Sequence, residues 1–204
     1  ERWRVHVTDL EVPITRFSSI VVGPDHVFTT IENSGSVGWV YGFDRATGEP
    51  QWHDEGPSHA GLLTVTPEFV LSGGFHGQVE AWAHDGTPRW DAGTTPPVGS
   101  IAFAHDHIYV SANTQGSQAD PALTVLDTAG TQVWTRNQGE PTALTPDAAI
   151  VDTGNGLAAL DPQSGDKRWI WTHSDAIGWV VPATEALFVQ TGNDRNEKTL
   201  HMLV

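Results

Sequence analysis

Cysteine is absent from the 204 residues, methionine occurs once, and lysine occurs only at Lys167 and Lys198. Without cysteine there is no disulfide and no thiolate chemistry, although that absence alone assigns no compartment. No apolar run approaches the roughly 18 residues of a membrane span, so direct membrane insertion is not expected. No signal segment is present, and the chain starts at Glu1 rather than methionine. The expectation is a processed form or a window of something longer, extracytoplasmic, with any anchor or export signal outside these residues. Positive charge is also scarce: ten basic residues face 25 acidic ones, for a net charge of −15. Nucleic acid, whose phosphates need cationic contacts, is excluded as a partner, and so is adsorption to anionic lipid. A cationic ligand remains open. The acids are scattered singly and in pairs, however, which reads as an even coat of carboxylates. Many aspartates with few lysines resemble proteins of salt-loving archaea, where concentrated salt screens self-repulsion. The sequence also holds no GxSxG elbow, no phosphate-cradling glycine loop and no HExxH.

What is abundant is tryptophan, nine in all. The stretch FDRATGEPQW ends at Trp52, and the same turn returns in AWAHDGTPRW at Trp90, TVLDTAGTQVW at Trp134 and ALDPQSGDKRW at Trp169. In each, glycine precedes tryptophan by four residues: Gly48, Gly86, Gly130 and Gly165. Successive tryptophans lie 38, 44 and 35 residues apart, and ERW places Trp3 as the tail of a further copy, 49 residues before Trp52. A second register agrees. Asp25, Glu68, Asp106, Asp147 and Glu185 each precede a short apolar strand, at intervals of 43, 38, 41 and 38. These acids read as turn chemistry rather than as a ring of metal ligands.

Between the turns run short segments rich in Val, Ile, Phe, Trp and Thr, with no capped helical period. The second unit divides into GLLTVT, FVLSG, QVEAWAH and TPRWDA, and the third into SIAFAH, IYVSAN, ALTVLD and TQVWTR. Four strands per period of about 40 specify an all-β fold, a β-propeller of four-stranded blades. The approximate repeats are 4–52, 53–90, 91–134, 135–169, and 170–204 plus 1–3, within one domain spanning 1–204. Trp3, Trp52, Trp90, Trp134 and Trp169 are then blade-docking residues, each burying roughly 150 to 250 Å² where well covered.

The order apolar strand, aspartate, small polar turn, glycine, three residues, tryptophan resembles the quinoprotein-like, or PQQ-like, repeat. FDRATGEPQW and LDPQSGDKRW carry the likeness best, while HDGTPRW and LDTAGTQVW have shortened turns. The family includes alcohol dehydrogenases that bind pyrroloquinoline quinone and a barrel-assembly lipoprotein of bacterial outer membranes. In the dehydrogenases the resemblance implies a quinone above a calcium ion, stacked on tryptophan and often on a vicinal disulfide. No ligand set or catalytic aspartate can be matched onto these residues, so no catalytic residue and no metal site is assigned. A cofactor, the quinone with calcium, follows only under the dehydrogenase reading.

The chain ends in TLHMLV, a third strand, and starts in ERW, a fourth. Glu1–Val7 beside Thr199–Val204 would close a five-bladed ring through a split blade and remove its free edges. The alternative is a segment of a seven- or eight-bladed propeller.

Loops of variable length, ENSGSVG, NTQGSQADP and TGNDRNEK, fall on the face opposite the glycine turns, and binding usually resides on such loops. Candidate residues for a protein or small-molecule ligand there are His53, Asp54, Glu55, His59, His76, Asp120, His173, Asp175, Trp179, Asp194 and Arg195. His and Asp are ordinary ligands of divalent metals, and Asn193, Asp194 and Glu197 could offer oxygens to calcium, but no diagnostic spacing is present. The leading functional expectation is a noncatalytic binding or assembly scaffold from a halophilic archaeon. A fragment of a quinone-dependent alcohol dehydrogenase and an extracytoplasmic sensor domain are the alternatives.

Overall fold

The computed structural model describes residues 2–10, 16–32, 38–57, 61–94, 97–112, 123–137, 140–194 and 197–204. Nineteen strands form five antiparallel sheets in chain order. The first contains β1 (Arg16–Val22), β2 (His26–Glu32), β3 (Gly38–Asp44) and β4 (Pro50–Gly56). The second contains β5 (Leu62–Val65), β6 (Phe69–Gly73), β7 (Gln78–Ala83) and β8 (Pro88–Gly93). The third contains β9 (Val98–Ala104), β10 (His107–Ala112), β11 (Leu123–Asp127) and β12 (Gln132–Arg136). The fourth contains β13 (Glu140–Leu144), β14 (Ala149–Asp152), β15 (Gly156–Leu160) and β16 (Lys167–Thr172). The fifth has three strands, β17 (Ile177–Pro182), β18 (Leu187–Asp194) and β19 (Glu197–Leu203). Each sheet is a meander, so strand order across the blade follows sequence order.

The core lies between blades. Alternate residues of a strand look to opposite faces of its sheet, and here both faces are apolar. In β10, Ile108 and Val110 join Phe69, Leu71, Val79 and Ala81 of blade 2, while Tyr109 joins Ala149, Val151 and Leu160 of blade 4. In β14 the alternation repeats, with Ile150 turned to Leu187 and Val189 of blade 5. Such doubly apolar strands cannot be stable as single sheets, because each blade buries its faces only against its neighbours.

Tight turns join the strands at one end of the blades. Those between first and second strands place Asp25, Glu68, Asp106, Asp147 and Glu185 at their tips, as turn chemistry requires. His105 and Asp106 both have positive φ, 54° and 56°, which matches the twist of a two-residue hairpin loop. At the turns between third and fourth strands, an aspartate side chain organises the loop. Asp44 Oδ1 accepts from the amides of Ala46 and Thr47 at 2.8 and 2.7 Å. Asp85 accepts from Thr87 at 3.0 Å, Asp127 from Ala129 and Thr131 at 2.9 Å, and Asp161 from Gln163 and Ser164 at 2.9 and 3.0 Å.

The tryptophans work across blades, in one direction. Gly48, Gly86, Gly130 and Gly165 all have φ between +70° and +87° and lie bare under an indole of the preceding unit. A Cβ on any of them would come within 2.5 to 2.7 Å of the ring of Trp3, Trp52, Trp90 or Trp134 respectively. The indole N–H then donates to a carbonyl of the same turn. Trp3 reaches Arg45 O at 3.1 Å, Trp52 reaches His84 O, Trp90 reaches Thr128 O and Trp134 reaches Pro162 O, each at 2.9 Å. The glycine four residues before a tryptophan therefore seats a different tryptophan, the one from the blade before.

Trp169 departs from the expectation of burial between blades. It is 39% exposed, whereas Trp134 is 8% exposed, and among the described residues no turn glycine lies under it. The expected split blade also differs in detail. Residues 2–6 form no strand, and Val7–Asp9 is a 3-10 turn. Trp3 sits over blade 1, where Val5 and Leu10 pack on Ile31, Tyr41 and Phe43. The outward side of blade 5 stays open, with Trp179 at 73% exposure and Leu200 at 70%.

Candidate functional site

At the end opposite the tight turns, each blade joins the next. His59 and Asp120 lie outside the described residues, as does Arg195; Asp194 lies in β18, with nothing described of its side chain. The first and third variable loops fall largely outside the described residues too. The fifth, TGNDRNEK, is mostly strand: β18 and β19 run through it to an Asp194–Glu197 pair, with a register shift after Thr191. The short loop of blade 2 is tied to the connection that follows it. Thr94 donates its amide and hydroxyl to Gly77 O at 2.7 and 3.1 Å, and Val98 N donates to Gly74 O at 3.2 Å. His173 N makes the corresponding tie, to Asn155 O, while Gly192 N of β18 donates to Ala176 O in the connection that precedes blade 5.

The named side chains separate into groups. His53 stacks on Tyr41, ring centroids 4.8 Å apart and planes 14° apart, on the side of blade 1 away from blade 2. Asp54 lies on the other side and accepts from the Trp82 indole at 2.9 Å. His76 contacts Phe75 edge-on at 5.8 Å, and Phe75 is 56% exposed. His173 accepts from the Asp175 amide at 3.1 Å and packs on Trp171 and His201, both centroids at 4.9 Å. Trp179 belongs to none of these. It projects from β17 onto the open side of blade 5, where Val181, Phe188 and Leu200 are also exposed.

The densest chemistry is a polar seam between blades 1 and 2, most of it not singled out by sequence. Val70 and Trp82 of blade 2 pack on Phe28 and Val40 of blade 1. By strand alternation Ser72, Gln78 and Glu80 look the same way, and Asp54, paired with Val40, looks toward them. Ser72 is opposite Glu80, and Glu80 is opposite Asp91. Burial, reinforced by the charges of Asp91, Asp54 and Glu55, pushes the Glu80 carboxyl up from near 4.5 to about 7. Ser72 Oγ and Gln78 Oε1 are buried without a hydrogen-bond partner. The seam can exchange a proton near neutrality, but it holds no activated nucleophile. Among the described residues no group of three or more His, Asp or Glu is arranged to hold a metal ion.

No repeat register points to this seam: Asp54 follows Trp52 by two residues, Asp91 follows Trp90 by one, and Glu80 stands where blade 1 has Tyr41, so the acids alone are the only signal. That signal is weak in an acid-rich chain.

Comparison with known proteins places the fold. A family profile described as outer membrane protein assembly factor BamB matches residues 36–199. No curated protein sequence matches. Among solved structures, BamB from Moraxella catarrhalis superposes with a TM-score of 0.56 and 19% identity, covering 90% of this chain and 59% of that one. The computationally designed Ika8 protein gives 0.66 and 17%, covering 89% and 57%. A europium-containing methanol dehydrogenase gives 0.62 and 10%, covering 86% and 48%. The chain spans about half to three fifths of the length of these structures, and identities so low speak for the fold alone.

Proposed function

The chain belongs to the PQQ-like repeat family of BamB-type β-propellers, and from that premise we propose that it is a noncatalytic scaffold that binds protein on its loop face. The observation that carries this reading is the use to which the candidate polar residues are put. His53 stacks on Tyr41, Asp54 holds Trp82, and His173 caps the turn at Asp175. Side chains that would serve as acids, bases or ligands are spent on rigidity, while the loops between them are left to vary. The likeness to an assembly factor supports a protein partner and an extracytoplasmic setting. The acid coat supports a high-salt origin.

The methanol dehydrogenase likeness supplies the contrary reading, a piece of a quinone enzyme, and one experiment separates the two. The protein is incubated with pyrroloquinoline quinone and calcium, then followed by absorbance and by dye-linked alcohol oxidation. No stoichiometric uptake and no oxidation are expected. Saturable uptake with turnover would overturn the scaffold reading.

A further inference from the structure

Blades 1 and 2 are both complete four-stranded sheets, and the seam between them gathers oxygens that the chain's own donors do not satisfy. Ser72 is 0% exposed, and its hydroxyl bonds to nothing among the described residues. Glu80 stands directly across from it, β6 to β7, so their Cβ atoms lie about 5 Å apart on one face of the sheet. Gln78, two residues before Glu80, looks the same way, and its Oε1 is likewise buried and unbonded. Buried polar atoms are nearly always paired, so two orphans beside one carboxylate mark a place where a further group completes the bonding. From blade 1, Asp54 faces this place. Its carboxylate is oriented by two donors, the Trp82 indole at Oδ2 and the Glu55 amide at Oδ1, both at 2.9 Å. Each of those oxygens keeps a second lone pair. The sign of the surroundings decides what the further group is. The charges acting on Glu80 are all negative, those of Asp91, Asp54 and Glu55. A water molecule would satisfy the orphans but leave facing carboxylates uncompensated, whereas a cation answers both needs.

We propose that Glu80, Asp54, Ser72 and Gln78 form an interblade site for a divalent cation of the calcium kind, which clamps blade 2 to blade 1. The donor chemistry selects the ion. The seam offers carboxylate, amide and hydroxyl oxygens, with no imidazole or sulfur among the four side chains, and that set suits a hard cation. These side chains cover most of the roughly six to eight oxygens that calcium takes, with water for the rest. The Trp82 indole and the Glu55 amide serve as the outer shell that fixes Asp54. Two of the four ligands are neutral oxygens, so the site does not register as a cluster of three or more His, Asp or Glu.

The test is calorimetric titration of the 204-residue protein with calcium chloride at pH 8, where Glu80 is ionised. Potassium chloride at about 1 M screens the carboxylate coat over about 3 Å, so scattered surface acids do not compete. Saturable binding of a single calcium ion per chain is expected. Glu80→Gln and Ser72→Ala each weaken it about tenfold or more, at least what loss of an outer-shell partner costs. Asp106→Asn, in the tight turn of blade 3, leaves it unchanged. Thermal unfolding gives a second reading: in chelator Glu80→Gln melts above the unaltered protein at pH 8, and with calcium at about a hundred times its Kd it melts below. The proposal is overturned by an absence of saturable binding, by full affinity in either seam variant, by a loss in Asp106→Asn equal to that in Glu80→Gln, or by a melting order that calcium does not reverse.

Discussion

Glu80 shows what one side chain costs when a blade seam holds it among like charges. Its carboxyl is pushed up to about 7 from near 4.5, mainly by burial and then by Asp91, Asp54 and Glu55. Below about pH 4.5 the group is neutral whether folded or unfolded and contributes nothing. Between 4.5 and 7 the folded protein keeps a proton that the unfolded chain releases, so stability falls with rising pH until the full cost is present above 7. Glu80→Gln is therefore expected to stabilise by on the order of 1–2 kcal/mol at pH 8, after discounting for the group's partial exposure, and by nearly nothing at pH 4. Urea melts at the two pH values check both the size and the sign. Three turn aspartates, Asp44, Asp85 and Asp161, run the other way. Asp161 is held down to about 2, first by the Arg168 side chain at 2.7 Å and then by the amides of Ser164 and Gln163. Its contribution is present above the usual carboxylate range and fades as pH falls toward 2.

At the scale of the element, the repeated unit is a turn that receives one indole and a strand that sends out another. Trp134 is nearly buried, bonds to Pro162 O at 2.9 Å and covers Gly165. Its replacement by alanine is expected to cost about 3–5 kcal/mol, as large aromatic truncations in packed sites do. Trp169→Ala should cost far less, since that ring is already 39% exposed. Hydrogen exchange of β12 against β16 amides would distinguish the two. The period, the four strands and the turn residues were legible in the sequence because each is a local pattern of alternation, glycine and aspartate. The pairing of Gly86 with Trp52 rather than with Trp90 was not, because it joins neighbouring units and the spacing inside one copy is identical in either arrangement. The polar seam was hidden for a related reason. Ser72 and Gln78 are ordinary strand residues until strand alternation and a neighbouring blade bury them together.

For the whole molecule, a net charge of −15 on 204 residues sets the response to salt. Self-repulsion of a carboxylate coat is screened over about 3 Å at 1 M salt, against about 10 Å at 0.1 M. Melting temperature should rise between low and molar potassium chloride, and a flat response would count against the halophilic reading. The same scale gives the stacking its direction. Every indole clamp reaches from one blade to a turn of the following blade, never backward among those described. Loss of blade 5 would bare the apolar side of blade 4, and loss of blade 4 would also unseat Trp134. Removing blade 4, 3 or 2 thus strips one clamp from the blade before it, just as removing blade 1 frees Gly86 of blade 2 from Trp52. Loss of blade 1 leaves Trp90 on Gly130 and Trp134 on Gly165 untouched. Blades 1, 2 and 3 each receive one indole and send another, so loss of any one of them breaks two fastenings at once.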